Sequence, residues 1–363
     1  MDVLHVVGAR PNFPKLAPVY AALSELEVSQ YVVHTGQHFD PELSDVLFEQ
    51  LGLPAEDENL GVGSGSHAQQ TATVMQRIED VLLRVKPKIV VVYGDVNSTV
   101  AATLVAAKLG IVVAHVEAGL RSGDRTMPEE INRLVTDAIC DIALTTSEDA
   151  DDNLRAEGRD ASSIHFVGNP MIDSLMAVQG VLTRSPYVGR FADSGYGVVT
   201  MHRPGNVDDP AERERVVRVL MACAVEVPLV FPVHPRRRAE FENSPLGSNP
   251  RIVLTGPLPY VDFLSVVRDA RVVVTDSGGV QEETTIFGVP CLTLRPNTER
   301  PVTIWKGTNR LVTAATLPDE LRKAIASDGA TTKENVIPPL WDGRAGMRIA
   351  EVLQSTLKTA ASD

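Results

Sequence analysis

Asp95, Glu117, His202, His234 and Asp276 each stand at the end of a short apolar run. In parallel α/β sheets, ligands bind beyond the carboxyl ends of the strands, so residues that close such runs are the first candidates for a site. Glu129 and Glu130, in PEEINR, add two further acids. Clustered carboxylates suit proton transfer, because burial and mutual repulsion can push one of them towards neutrality, and a positioned acid or base contributes about 10²–10⁴-fold. A structural reading competes, since Glu117 with Arg121 and Glu129 with Arg133 are spaced as ion pairs across one helical turn. The company of His202 and His234 favours catalysis. His5, His34 and His115 read as hydrogen-bonded structural groups.

A second chemistry is written in residues 272–288, VVVTDSGGVQEETTIFG, where a buried-type strand runs through Asp-Ser-Gly-Gly into a helix. Gly278 and Gly279 let backbone amides approach an oxyanion, and the helix start supplies unpaired N–H groups with about half a positive charge. Glu282 and Glu283 lie where ribose hydroxyls could donate to them. The competing reading is a plain strand-to-helix turn with Ser277 as its cap. Cations to offset a diphosphate are Arg10 and Lys15 in GARPNFPK and Arg300 in NTERP, a loop arginine able to grip phosphate bidentately. For Arg300 a surface ion pair is the alternative. Arg236, Arg237 and Arg238 read as a solvated loop.

These residues need a scaffold, and the apolar runs supply it. Residues 3–7, 31–35, 89–93, 112–116, 142–146 and 164–167 alternate with segments of helical spacing. One of those, 68–85, lines up Val74, Ile78, Val81 and Val85 before Lys86-Pro87 ends it. A second series follows at 197–201, 229–233, 252–255, 272–275, 291–294 and 310–313. Crossovers of this length imply parallel strands. The expectation is an α/β protein of two Rossmann-like domains, residues 1–177 carrying the acids and 178–363 binding the nucleotide. Their parallel sheets would face across a cleft. The patternless stretch 178–194 marks the junction, and a closing amphipathic helix at 346–357 belongs to the second domain or packs back on the first.

Composition narrows the partners. At 363 residues the chain exceeds what one core supports, and 44% apolar content with 22% charge excludes disorder. A net charge of −13 opposes nucleic-acid binding, which rests on excess lysine and arginine. Cys140, Cys223 and Cys291 form no CxxC pair, which speaks against disulfides or zinc and for a reducing cytoplasm. The apolar start, residues 3–7, is too short for a signal-peptide core, and no run suits a membrane span. No GxGxxG follows the first strand and no GxxxxGK[ST] occurs; Gly61 to Ser66, GVGSGS, follows no strand run. No cofactor or metal is expected. A nucleotide-diphosphate site without cofactor motifs points to a nucleotide that belongs to the substrate.

Taken together, GARPNFPKLAP, TGQHFD, GDVNST, HVEAGLRSGDRTMPEEINR, VGNPMIDSL, HRPGNVDD, PVHPR, TDSGGVQEETTIFGVPCLTLRPNTERP and GTNRLV resemble the non-hydrolysing UDP-N-acetylglucosamine 2-epimerase family over almost the whole chain. The resemblance implies a GT-B-like fold, a homodimer, and reversible inversion at C2 of UDP-GlcNAc to UDP-ManNAc. In that family UDP leaves C1 as a base takes the C2 proton, and re-adds to the 2-acetamidoglucal. By resemblance Asp95, Glu117 and Glu129 are the acid/base carboxylates, and His202 assists at the departing diphosphate. Arg10, Ser277, Gly278 and Gly279 would hold the diphosphate, Glu283 the ribose, and Lys15, His234 and Arg300 further polar groups of the substrate. Gln37 and His38 match an allosteric segment, although Asp40 departs from the glutamine of activated members, and Gly205 departs within HRPGNVDD. A hydrolysing relative releasing ManNAc and UDP, a GT-B glycosyltransferase and a nucleotide-sugar sensor are the alternatives.

Overall fold

A computed structural model describes residues 1–37, 47–233, 235–326 and 337–360. His38, Asp40 and His234 lie outside the described residues. The chain divides into two compact units, Met1–Val178 with Pro339–Asp363, and Gln179–Pro338.

In the first unit, β1 (Val3–Val7), β2 (Gln30–His34), β3 (Glu58–Asn59), β4 (Ile89–Tyr93), β5 (Val112–Ala118), β6 (Ile142–Thr145) and β7 (Ile164–Phe166) form one parallel sheet. Its order is β3-β2-β1-β4-β5-β6-β7. The second unit repeats the plan with β8 (Gly197–Thr200), β9 (Leu229–Pro232), β10 (Ile252–Thr255), β11 (Val272–Thr275), β12 (Cys291–Leu294) and β13 (Asn309–Val312), ordered β10-β9-β8-β11-β12-β13. Both are Rossmann-like, with the direction of winding reversing between β1 and β4 in one sheet and between β8 and β11 in the other. Such a switch point opens a crevice at the strand ends.

The unbroken apolar runs have a physical cause, since each sheet is covered on both faces. Val199, Val272 and Val274 join one core cluster of the second unit, while Val198, Val230 and Val273 join another. In the first unit Leu4, Val6, Val90 and Val92 pack with Ile78, Val81 and Leu82. The last three lie on helix α2 (His67–Val85), which follows α1 (Phe13–Glu25). Ser66 caps α2 by accepting from the Gln69 amide, and Lys86, at φ 50°, turns the chain out of it. The segment 61–66 therefore follows the short edge strand β3 rather than no strand, and delivers the cap.

Helices α3 (Asn97–Lys108), α4 (Pro128–Ile139) and α5 (Pro170–Val178) complete the described helices of the first unit that bear on the site. In the second unit α6 (Gly278–Phe287) follows β11. The last helix, α7 (Ala345–Ala360), returns to the first unit and packs on α1 and α5. Trp341, buried just before it, donates its indole N–H to the Thr146 carbonyl at 2.9 Å. Residues 236–238 lie in a helix, Pro235–Glu242, and not in a loop. There Arg237 pairs with Asp208 and Glu240, and Arg238 with Glu242. Cys140, Cys223 and Cys291 are free and buried. Among the described residues no helix is long and apolar enough to cross a membrane.

Candidate active site

The first unit gathers its chemistry at the β1/β4 switch point. Asn12, buried after β1, accepts from the Gly8 and Ala9 amides at 3.0 Å and donates to the Tyr93 carbonyl at 2.9 Å. It thereby ties the turn bearing Arg10 to the end of β4. Beyond β4, Gly94 adopts φ 65°, and a Cβ there would lie 2.9 Å from Lys15 Nζ and 3.9 Å from Glu117 Oε1. Only glycine fits both the dihedral and the crowding.

Glu117 is the most unusual residue of this unit. The β5–β6 register shifts between Val116 and Ala118, and Glu117 bulges there with φ 77°. A left-handed non-glycine residue costs roughly 1–3 kcal/mol, and such strain concentrates where it re-aims a functional side chain. Its carboxylate forms an ion pair with Lys15, both side chains at most 5% exposed. The alternative pairing of Glu117 with Arg121 that spacing allowed is not formed, because Glu117 sits in a strand bulge and shares no helical face with residue 121. Arg121 bonds Asp137 and Glu157.

Asp95, 24% exposed, pairs with Arg133 of α4. The same guanidinium reaches Glu130 at 2.8 Å, so the partner on the helix is Glu130 and not Glu129. Glu130 is buried because it also accepts from the amides of Ser122 and Gly123 at 2.9 Å. Burial works against its charge, but these donors and Arg133 hold its carboxyl below the ordinary range. Glu129, half-buried in the first turn of α4, shares a face with Asn132 and Arg133, which hold the Asp95 backbone carbonyl and side chain. Lys15 and Glu117 therefore meet beside Gly94, Asp95 follows it in the chain, and Glu129 lies on the helix whose Arg133 holds Asp95.

The histidines read as structural are so placed. His115 lies between Asp137, 2.6 Å from Nδ1, and the Gly94 carbonyl, 2.8 Å from Nε2. Burial pushes His5 down to about 4, beside Tyr93 and Gln30. Gln37 is committed as well, its amide oxygen accepting from the Ser98 amide at 3.0 Å and hydroxyl at 2.8 Å.

In the second unit the β8/β11 switch point brings His202, Asp276, Ser277 and Gly278 together. The Asp276 carboxylate, fully buried, lies 2.7 Å from His202 Nδ1 and accepts from the amides of His202 and Arg203 and from Asn206. Burial opposes its charge, yet His202, Asn206 and Arg203 hold it below the usual carboxylate range. Sequence reading marked Asp276 as a strand-end acid but missed its partner, which lies on another strand.

Ser277 is the residue before α6, and its side chain makes no capping hydrogen bond. The plain-cap alternative fails, and the amides at the start of α6, Gly278 and Gly279 included, lack that side-chain acceptor. Gly278 has a second reason to be glycine, because an added Cβ would overlap the Arg300 guanidinium. Arg300 is buried, not on the surface, and pairs with Glu282 at 2.7 Å and with Glu299. Since that guanidinium is pinned by two carboxylates, Gly278→Ala is expected to cost about 1–3 kcal/mol of stability. Thermal denaturation checks it, and a wild-type melting temperature would discard the close-packed turn.

Glu283 sits one turn into α6, buried, with Oε2 lacking a hydrogen-bond partner. Burial, and then the charge of Glu282, push its carboxyl up from 4.5 to about 8. The folded chain accordingly holds a proton that the unfolded chain sheds, and stability falls as pH climbs between those values. Glu283→Gln should remove that slope, gaining on the parent by roughly a few kcal/mol near pH 8 and little near pH 5. Melting curves across the range decide, and a gain independent of pH would refute the buried neutral acid.

A family model described as UDP-N-acetylglucosamine 2-epimerase matches residues 21–354. A UDP-N-acetylglucosamine 2-epimerase of Methanocaldococcus jannaschii is 39% identical, over 97% of this chain and 99% of the relative. A Pseudomonas aeruginosa UDP-2,3-diacetamido-2,3-dideoxy-D-glucuronate 2-epimerase is 41% identical, over 97% of this chain and 99% of the relative. The crystal structure of the M. jannaschii UDP-GlcNAc 2-epimerase with UDP-GlcNAc and UDP superposes with a TM-score of 0.88 at 38% identity, covering 98% of this chain and 100% of the other.

Proposed function

The chain belongs to the UDP-N-acetylglucosamine 2-epimerase family, and from that premise we propose that it interconverts UDP-GlcNAc and UDP-ManNAc by eliminating and re-adding UDP across a 2-acetamidoglucal. The C2 hydrogen has no neighbouring carbonyl to acidify it, so loss of UDP from C1 must accompany its removal. Asp95, Glu117 and Glu129 supply acid and base on the two faces of C2. The observation that carries this reading is Glu117, held in a left-handed bulge near the end of β5 against Lys15. A merely structural glutamate has no need of that backbone cost.

Departure of UDP puts negative charge on the diphosphate. His202 meets that charge, the amides of Ser277, Gly278 and Gly279 with Arg10 hold the diphosphate, and Glu283 takes the ribose. Arg300, locked by Glu282 and Glu299, shapes the turn from beneath rather than standing alone as a phosphate grip. Lys15 and His234 serve the remaining polar groups of the substrate.

A second reading has its own support, since the 41% identical Pseudomonas relative acts on a diacetamido uronate. The reaction at C2 is the same in kind, because that sugar also carries an acetamido group there. Comparing kcat/KM on the two nucleotide sugars decides. UDP-ManNAc formed from UDP-GlcNAc, with no rise in free UDP, upholds the first reading; preference for the uronate assigns the chain to the second, and stoichiometric UDP with free ManNAc would make it a hydrolysing relative. The cytoplasm, where three unpaired cysteines stay reduced, is the proposed location. A homodimer is proposed from the family resemblance, and light scattering tests it.

A further inference from the structure

We propose that Asp276 is a positioning residue that sets which nitrogen of His202 meets the substrate, joining the diphosphate turn to the histidine. The imidazole is 58% exposed at its side chain, whereas its partner carboxylate is wholly enclosed. An exposed ring ordinarily rotates and samples both tautomers. Here Nδ1 faces Asp276 Oδ1 at 2.7 Å, and an ionised carboxylate only accepts, so Nδ1 must carry the hydrogen. Nε2 is then the nitrogen left for a ligand, as a donor when the ring is protonated.

The carboxylate cannot easily turn away. Its oxygens also accept from the His202 amide at 3.1 and 3.2 Å, the Arg203 amide at 3.0 Å and Asn206 Nδ2 at 2.9 Å. The main chain is fixed in step: the Asp276 amide donates to the Thr200 carbonyl at 3.2 Å, and its carbonyl accepts from Arg203 Nε at 3.1 Å. The Thr200 and Thr275 hydroxyls lie 2.6 Å apart, and the latter accepts from the Ser277 amide at 2.9 Å. The β8 and β11 ends are therefore one unit, in which the residue before the glycine turn also orients the histidine. A histidine aimed this way is in register with the leaving diphosphate each time the turn is filled.

The role of His202 rests on the epimerase reading, but the orientation does not, so the two fail separately. The first test is long-range ¹H–¹⁵N correlation on the labelled wild-type protein, with the His202 signals assigned from His202→Asn. Neutral His202 is expected as the Nδ1–H tautomer, and the Nε2–H tautomer would overturn the proposal without any turnover being measured. The second is a double-mutant cycle. Asp276→Asn should lower kcat by about 10- to 100-fold with UDP affinity nearly kept, as for outer partners that orient functional histidines. In a His202→Asn background the same change should alter kcat by no more than about twofold, since it then has nothing to orient. Equal losses in both backgrounds, or a loss of UDP affinity matching the loss of kcat, would make Asp276 merely structural.

Discussion

Asp95→Asn is expected to lower turnover by about 10²–10⁴-fold while leaving UDP affinity nearly intact, the size typical of a positioned acid or base. Asparagine keeps the shape of the side chain and removes only its charge and its capacity to exchange a proton. The fold should tolerate the change, because Arg133 retains Glu130 at 2.8 Å and is not left as a lone buried cation. The Asp95 main-chain carbonyl also keeps its bond from Asn132 at 2.9 Å. Steady-state kinetics with a parallel UDP titration reads the outcome. Unchanged turnover removes Asp95 from the chemistry, and a matching loss of UDP affinity would make it a binding residue.

For Glu117→Gln a double loss is expected. Turnover falls by about 10²–10⁴-fold through loss of the carboxylate. Stability falls too, because Lys15 and Glu117 are both enclosed and breaking a buried pair from one side costs about 3–5 kcal/mol. The losses are separable. In the Lys15→Met, Glu117→Gln double variant no unpaired ammonium remains, so stability should return towards the parent while turnover stays low. Lys15→Met alone is the control, since it loses the lysine and keeps the carboxylate: a further fall of about 10²-fold or more in kcat on adding Glu117→Gln marks the carboxylate as catalytic, and equal kcat in the two variants would make the pair purely structural.

Much of the architecture was legible because parallel strands enclosed on both faces are written as Val- and Ile-rich runs with polar residues at their ends. The runs ending at Asp95, Glu117, His202 and Asp276 are strands β4, β5, β8 and β11. The two-residue edge strand β3 had no such signal, being too short to carry a pattern. Ion-pair partners were the weak point. Helical spacing allows Arg133 to meet Glu129 or Glu130, and only the amides of Ser122 and Gly123, supplied by the preceding loop, select Glu130. Arg121 stood as the alternative partner of Glu117 because no local pattern announces a bulge, and Lys15 lies over a hundred residues away in sequence. Asp276 was visible as a strand-end acid, yet its pairing with His202 requires β8 and β11 to be neighbours, a property of the sheet order alone.

The central claim is that C2 loses and regains a proton while UDP leaves and returns. Proton NMR of the enzyme with UDP-GlcNAc in heavy water tests it most directly, following the sugar C2 position and the nucleotide together. Deuterium at C2 of UDP-ManNAc, and with time of UDP-GlcNAc, with the nucleotide sugar intact, is the predicted result. UDP-ManNAc that forms with its C2 hydrogen retained would contradict the account.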